Sequence, residues 1–199
     1  GQPKFPLLTY QELPDPAAPS DKEWAAVTTT QVSWGTTDVR YAKHGLPRLK
    51  NQQTIALKGW RGERVNAQAV VWTGVELKDL NFSFGDFKDK KGNVLPQDAF
   101  TGGFVRYVMT DELNKDGRGA CGHRKAVDYD SLLVADPIDT SLKAMALPAR
   151  TVQPVWVQCW IPQSAVPGTY KGELLINDGS RLLQRLNLEI TVSSRELPA

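Results

Sequence analysis

PVWVQCWIPQSAVPGTYKGELLI, from Pro154 to Ile176, is the stretch whose reading decides the fold. It divides into a strand, a Pro-bounded turn at Pro167-Gly168, and a second strand, the pattern of a β-hairpin. In the first strand Val155, Val157, Cys159 and Ile161 share one face, and Trp156, Gln158 and Trp160 share the other. The aliphatic face belongs in a core. The tryptophan face has three possible covers: a loop or helix of the same domain, another domain, or a sugar ring stacked on the indoles.

The same alternation recurs on both sides of this stretch. Downstream, Leu186, Leu188, Ile190 and Val192 alternate with Asn187, Glu189 and Thr191, after a turn at Asn177-Asp178-Gly179-Ser180. Upstream, Val65, Ala67, Ala69 and Val71 alternate with Asn66 and Gln68. From Val75 to Phe84 the phase breaks: Val75 and Leu77 are in step, then Leu80, Phe82 and Phe84 in the opposite step. A β-bulge at Lys78-Asp79 accounts for that break. Shorter strand signals lie at Gln53 to Leu57, Phe104 to Thr110 and Leu142 to Leu147, and Val/Thr-rich strand composition at Ala25 to Ser33. Asp89 to Asn93 reads as a solvated loop. Ser20-Asp21-Lys22-Glu23 matches a capping box opening one short helix. About ten short strands with little helix predict an all-β fold, an antiparallel β-sandwich of immunoglobulin-like or jelly-roll-like type.

Size and charge narrow the classes. The chain has 199 residues, with 24 Lys and Arg against 22 Asp and Glu. That length holds one large domain and leaves no room for a (β/α)8 barrel of about 250 residues beside it. A balance this near neutral offers no basic stripe for a nucleic-acid backbone. No apolar run approaches the roughly 18 residues of a membrane span. Pro3, Pro6, Pro14, Pro16 and Pro19 make residues 1–19 an extended arm, with the sandwich over 20–193 and the start of a linker at 194–199. Both ends read as boundaries of a domain taken from a longer polypeptide. Two cysteines, Cys121 and Cys159, leave open either two thiols or one bridge.

The polar, Gly-rich segment Asp111 to Lys125 is the other place to look for a site. Glu112, Asn114 and Asp116, with Gly117 next, imitate a calcium loop, yet the twelfth position, which needs a carboxylate, is His123. Cys121 and His123 have no orienting third group for nucleophilic catalysis and too few companions for zinc. Asp111 and Glu112 are adjacent on a strand end, where side chains diverge unless the strand stops. No metal, cofactor or catalytic residue is therefore assigned. The candidates for a domain interface or a carbohydrate contact are Asp111, Glu112, Arg118, Cys121, His123, Arg124, Trp156 and Trp160.

Four stretches together resemble the N-terminal β-sandwich domain of glycoside hydrolase family 123 proteins. They are GERVNAQAVVWTGVELKDL (Gly62 to Leu80), VRYVMTDE (Val105 to Glu112), GACGHR (Gly119 to Arg124) and PVWVQCWIPQSAVPGTYKGEL (Pro154 to Leu174). The resemblance implies a parent enzyme of β-N-acetylgalactosaminidase type, whose substrate-assisted chemistry uses an Asp-Glu pair in a (β/α)8 barrel C-terminal to the sandwich. Asp111-Glu112 does not correspond to that pair. The implied role is a non-catalytic accessory domain in carbohydrate metabolism, secreted, periplasmic or at the cell surface. Its implied partners are the C-terminal catalytic domain of the same polypeptide and a glycan. Arg118, His123 and Arg124 would meet carboxylates or sugar hydroxyls across the interface. An independent carbohydrate-binding module and an adhesion or protein-interaction domain are the alternatives.

Overall fold

The computed structural model describes residues 12–110 and 131–198, and it is the all-β sandwich that the alternation predicts. One sheet has five strands, in the order β1 (Thr30–Trp34), β3 (Arg64–Thr73), β10 (Thr151–Trp160), β7 (Phe100–Thr110) and β8 (Leu132–Asp139). The other runs β2 (Thr54–Arg61), β12 (Arg181–Glu196), β11 (Gly168–Asp178), β4 (Leu77–Phe84) and β9 (Ala144–Leu147). Two short strands, β5 (Phe87–Lys88) and β6 (Val94–Leu95), extend it beside β11. All pairings are antiparallel except β2 with β12, which is parallel. Among the described residues the one α-helix, α1 (Asp21–Trp24), is a single turn whose Glu23 N–H donates to the Ser20 hydroxyl.

The faces fall as the sequence alternates. Val65, Ala67, Ala69 and Val71 of β3, Val155, Val157 and Cys159 of β10, and Leu186, Leu188, Ile190 and Val192 of β12 all face the space between the sheets. The bulge is where the phase breaks: Leu77 pairs with Leu147 and Leu80 with Met145, so the register slips between them. Leu77 and Leu80 both become fully buried, although three residues apart. The Asp178 carboxylate accepts from the Lys78 and Asp79 backbone N–H groups, at 3.0 and 2.9 Å, so the bulge keeps its donors satisfied. Gly179 takes the left-handed conformation, φ 59°, that the two-residue β11–β12 turn needs.

One reading changes. Pro154 to Ile176 is not a hairpin: β10 lies in the five-stranded sheet and β11 in the other, so Pro162 to Pro167 is a corner between layers. A strand-turn-strand pattern says nothing about whether its strands pair, because a corner and a hairpin use the same turn residues. Asp89 to Asn93 is the solvated loop that the sequence predicts, and it forms the turn of a small ladder of β5 and β6. There Asp89 accepts from the Lys91 and Asn93 N–H groups. The ladder places Phe87 in the core, its ring stacked on Phe100 at 4.1 Å between centroids.

Gly172 on β11 lets Phe87 lie there. A Cβ at that position would stand 2.6 Å from the ring. Gly172→Ala is expected to cost about 1–3 kcal/mol, the range for overpacking a filled core. A urea titration that shows no loss would mean the ring has room to move.

The outer face of the five-stranded sheet is not open. The segments on either side of β1, residues 24–27 and 36–49, cross it, and Trp24 and Tyr41 pack on Val70 and Val152, with Val27, Leu46, Leu49 and Trp72 around them. Polar ties hold this cover. Tyr107 Oη donates to the Tyr41 and Val152 carbonyls at 3.0 and 3.1 Å. Gln68 Nε2 donates to the Thr36 and Val39 carbonyls, and Trp24 Nε1 to the His44 carbonyl. Within the Pro-rich segment, the Glu12 carboxylate accepts from Lys43 Nζ at 2.8 Å and from Arg106 Nε at 2.9 Å.

Candidate functional site

The structure separates the two tryptophans that the sequence puts on one face. Trp156 and Trp160 both point away from the core on β10, but only the first is covered. Trp156 packs beside Val105, Tyr107 and Ala135, and its Nε1 donates to Asn66 Oδ1 at 3.3 Å. Gln158 Nε2 donates to the same oxygen at 3.1 Å. A cleft of about 180 Å³ lies beside Trp156, and the ion pair of Arg40 with Asp136, 3.3 Å, is part of its lining. Trp160, by contrast, is 56% exposed.

Trp160 sits at the end of the sandwich, in company the sequence reading did not name. Its Nε1 donates to the Gly62 carbonyl at 3.1 Å. Arg64 is its cross-strand partner on β3, and the guanidinium lies over the indole at 4.4 Å from the ring centroid. Trp60, two residues before Gly62, is 38% exposed and carries the Arg195 guanidinium over its ring at 5.5 Å. A cleft of about 780 Å³ opens beside Trp60, lined also by Lys58, Glu63, Thr191 and Leu197. A second, of about 500 Å³, opens beside Trp160, lined also by Gly62, Asp98, Pro162 and Gln163.

Arg61 braces this end. Its guanidinium donates to the Gln163 carbonyl at 3.2 Å and the Ser194 carbonyl at 3.4 Å, and pairs with Glu196 at 3.0 Å. Leu197 N donates back to the Arg61 carbonyl at 2.9 Å. The β2–β3 turn, the corner after β10 and the end of β12 are thus one braced unit. The signal for it was in the sequence, as GWRGER and SSRE, but cross-strand stacking requires the register, and the register requires the sheet order.

Asp111, Glu112, Arg118, Cys121, His123 and Arg124 lie in the segment that joins β7 to β8, outside the described residues. Among the described residues no three His, Cys, Asp or Glu side chains gather as a metal site. No described helix is long and apolar enough to cross a membrane. Cys159 is a free thiol buried in the core, and burial pushes it up to about 12. It is therefore expected to resist iodoacetamide in the native protein at about pH 8, and to react once denatured, as read by peptide mass mapping. Native alkylation of Cys159 would show that the core opens at that strand.

A solved structure shares this architecture. A family 123 glycoside hydrolase from Clostridium perfringens, whose structure concerns glycolipid glycan hydrolysis, superposes with a TM-score of 0.71 at 18% identity. The match covers 85% of this chain and 28% of that one, so the chain spans under a third of that enzyme's length. A looser likeness, TM-score 0.42 at 12% identity over 97% of this chain and 100% of the other, is to a PapD-like domain of human CEP192. No curated protein matches. The glycoside hydrolase 123 N-terminal domain matches residues 34–178, from the end of β1 to the end of β11, and the chain belongs to that family.

Proposed function

We propose that this sandwich is the non-catalytic accessory domain of a secreted, periplasmic or cell-surface glycoside hydrolase. In this reading it packs on a catalytic (β/α)8 domain that follows it in the same polypeptide and acts on glycans. One observation carries the reading: the chain belongs to an N-terminal domain family and spans 28% of a family 123 enzyme of the same fold. Deleting the sandwich from the parent polypeptide should lower the melting temperature of the catalytic domain by several degrees, because an apolar surface would be newly exposed. An unchanged melting temperature overturns the packing role.

A carbohydrate-binding module is the second reading, and the exposed Trp160 is what favours it. Against it, each indole at this end already has a guanidinium over one face. Calorimetry on this domain with N-acetylgalactosamine-terminated oligosaccharides separates the two. The accessory reading expects no saturable heat at millimolar ligand, whereas saturable heat lost in Trp160→Ala would make the domain a glycan binder.

A further inference from the structure

We infer that the end of the sandwich bearing Trp60 and Trp160 is the face on which the following domain of the parent polypeptide docks. This rests on the accessory-domain reading and adds its location and its chemistry. Trp60 and Trp160 are the tryptophans among the large exposed hydrophobics of the described residues. They stand at one end, linked through Gly62, whose carbonyl takes the Trp160 N–H. Tryptophan and arginine are the residue types that most often anchor protein interfaces, because they bury large area with few rotatable bonds.

The anchors are already held in place. Arg64 and Arg195 restrain the two rings from one side. Arg61 fixes the turn between them to β12 and to the corner after β10. Little conformational freedom is left to lose on docking, which is what preorganisation contributes to an interface. Among the described residues neither Arg64 nor Arg195 forms an ion pair, so the occupant is a surface that brings apolar area to the free indole faces and carboxylates to the two guanidiniums.

The position of the chain exit selects the occupant. β12 ends at Glu196, and Leu197 lies against this same end, lining the cleft beside Trp60 and bonded to Arg61. Each further residue reaches at most about 3.6 Å, so a domain following closely begins beside this face and not beside the far end of the sheets. The other tryptophan face is taken, since Trp156 is packed by this chain's own residues.

The test uses the full-length parent protein and hydroxyl-radical footprinting read by mass spectrometry. Trp24 and Trp34, both buried here, serve as internal references. The expected result is Trp60 and Trp160 labelled no faster than those two. Arg64→Glu with Arg195→Glu should then raise labelling of both rings several-fold. If Trp60 and Trp160 react several-fold faster than the references while the exposed Leu132 and Ile138 of β8 are protected, docking occurs at that edge instead. That overturns the inference and leaves the accessory reading standing. If all four are freely labelled, the packing of the two domains is overturned as well.

Discussion

Trp34→Ala is expected to cost about 4–5 kcal/mol, a large part of the roughly 5–15 kcal/mol that holds a domain together. Trp34 ends β1 in the five-stranded sheet, is 1% exposed, and belongs to the core between the sheets. Its Nε1 donates to the Asn187 carbonyl on β12 at 2.8 Å, so one side chain spans both layers. The chain itself crosses between layers at the same place: Trp34 N donates to the Gln52 carbonyl, and Asn187 N to the Gln53 carbonyl. Truncation therefore leaves a cavity of indole size and a buried carbonyl without its partner, two costs that add. Thermal denaturation followed by circular dichroism should show a fall of about 10–15 °C. Trp34→Phe keeps most of the volume and loses the hydrogen bond, so it should sit between the two, about 1–2 kcal/mol below the native protein. A loss under about 1 kcal/mol for Trp34→Ala would show that the seam closes without the indole.

What the sequence made legible follows from what alternation can encode. A strand with one core face declares itself, which is why β3, β10 and β12 and the Lys78-Asp79 bulge could be read directly. Alternation is local, however, and does not say which strand lies beside which. Val155 and Tyr170 look like members of one hairpin and lie in different sheets. β8 does not declare itself by alternation because Pro137 interrupts its pattern, on an edge strand at the point where its register with β7 slips. The cover over the outer face, built from the segments on either side of β1, has no period at all and is specified by single contacts such as Gln68 with the Thr36 carbonyl. The candidate site divided for the same reason. Trp160 was visible as a tryptophan on a polar face, but Trp60, Arg64 and Arg195 join it only through the register of β2, β3, β10 and β12.

Glu12→Gln is expected to lower stability by about 3 kcal/mol near neutral pH, with a pH dependence that identifies the cause. The Glu12 side chain is 13% exposed, Arg106 13% and Lys43 19%, and Asp139, 21% exposed, pairs with the other side of Arg106 at 3.3 Å, so four charges share a poorly solvated site. Glu12 Oε1 also accepts from Tyr107 N at 3.2 Å. Burial raises the Glu12 carboxyl, but the hydrogen bonds from Lys43 and Arg106 outweigh it and hold the group below its usual 4.5. A carboxyl depressed in the folded state contributes stability that is complete above its unfolded value. That stability is lost as the pH falls through the folded value. The native protein should therefore lose the Glu12 contribution below about pH 4, while Glu12→Gln, which has no proton to take up, should not. Urea titrations near pH 7 and at about pH 3 should show a gap between native and variant that is wide at the first and narrow at the second. An equal gap at both would mean that the glutamate acts through shape and not charge. Glu12 also ties Lys43 in the cover to Arg106 in β7, so its loss should loosen the cover over Val70 and Val152. Trp160 stands beyond that cover, at the end braced by Arg61, and its footprinting rate should be the same in Glu12→Gln as in the native protein.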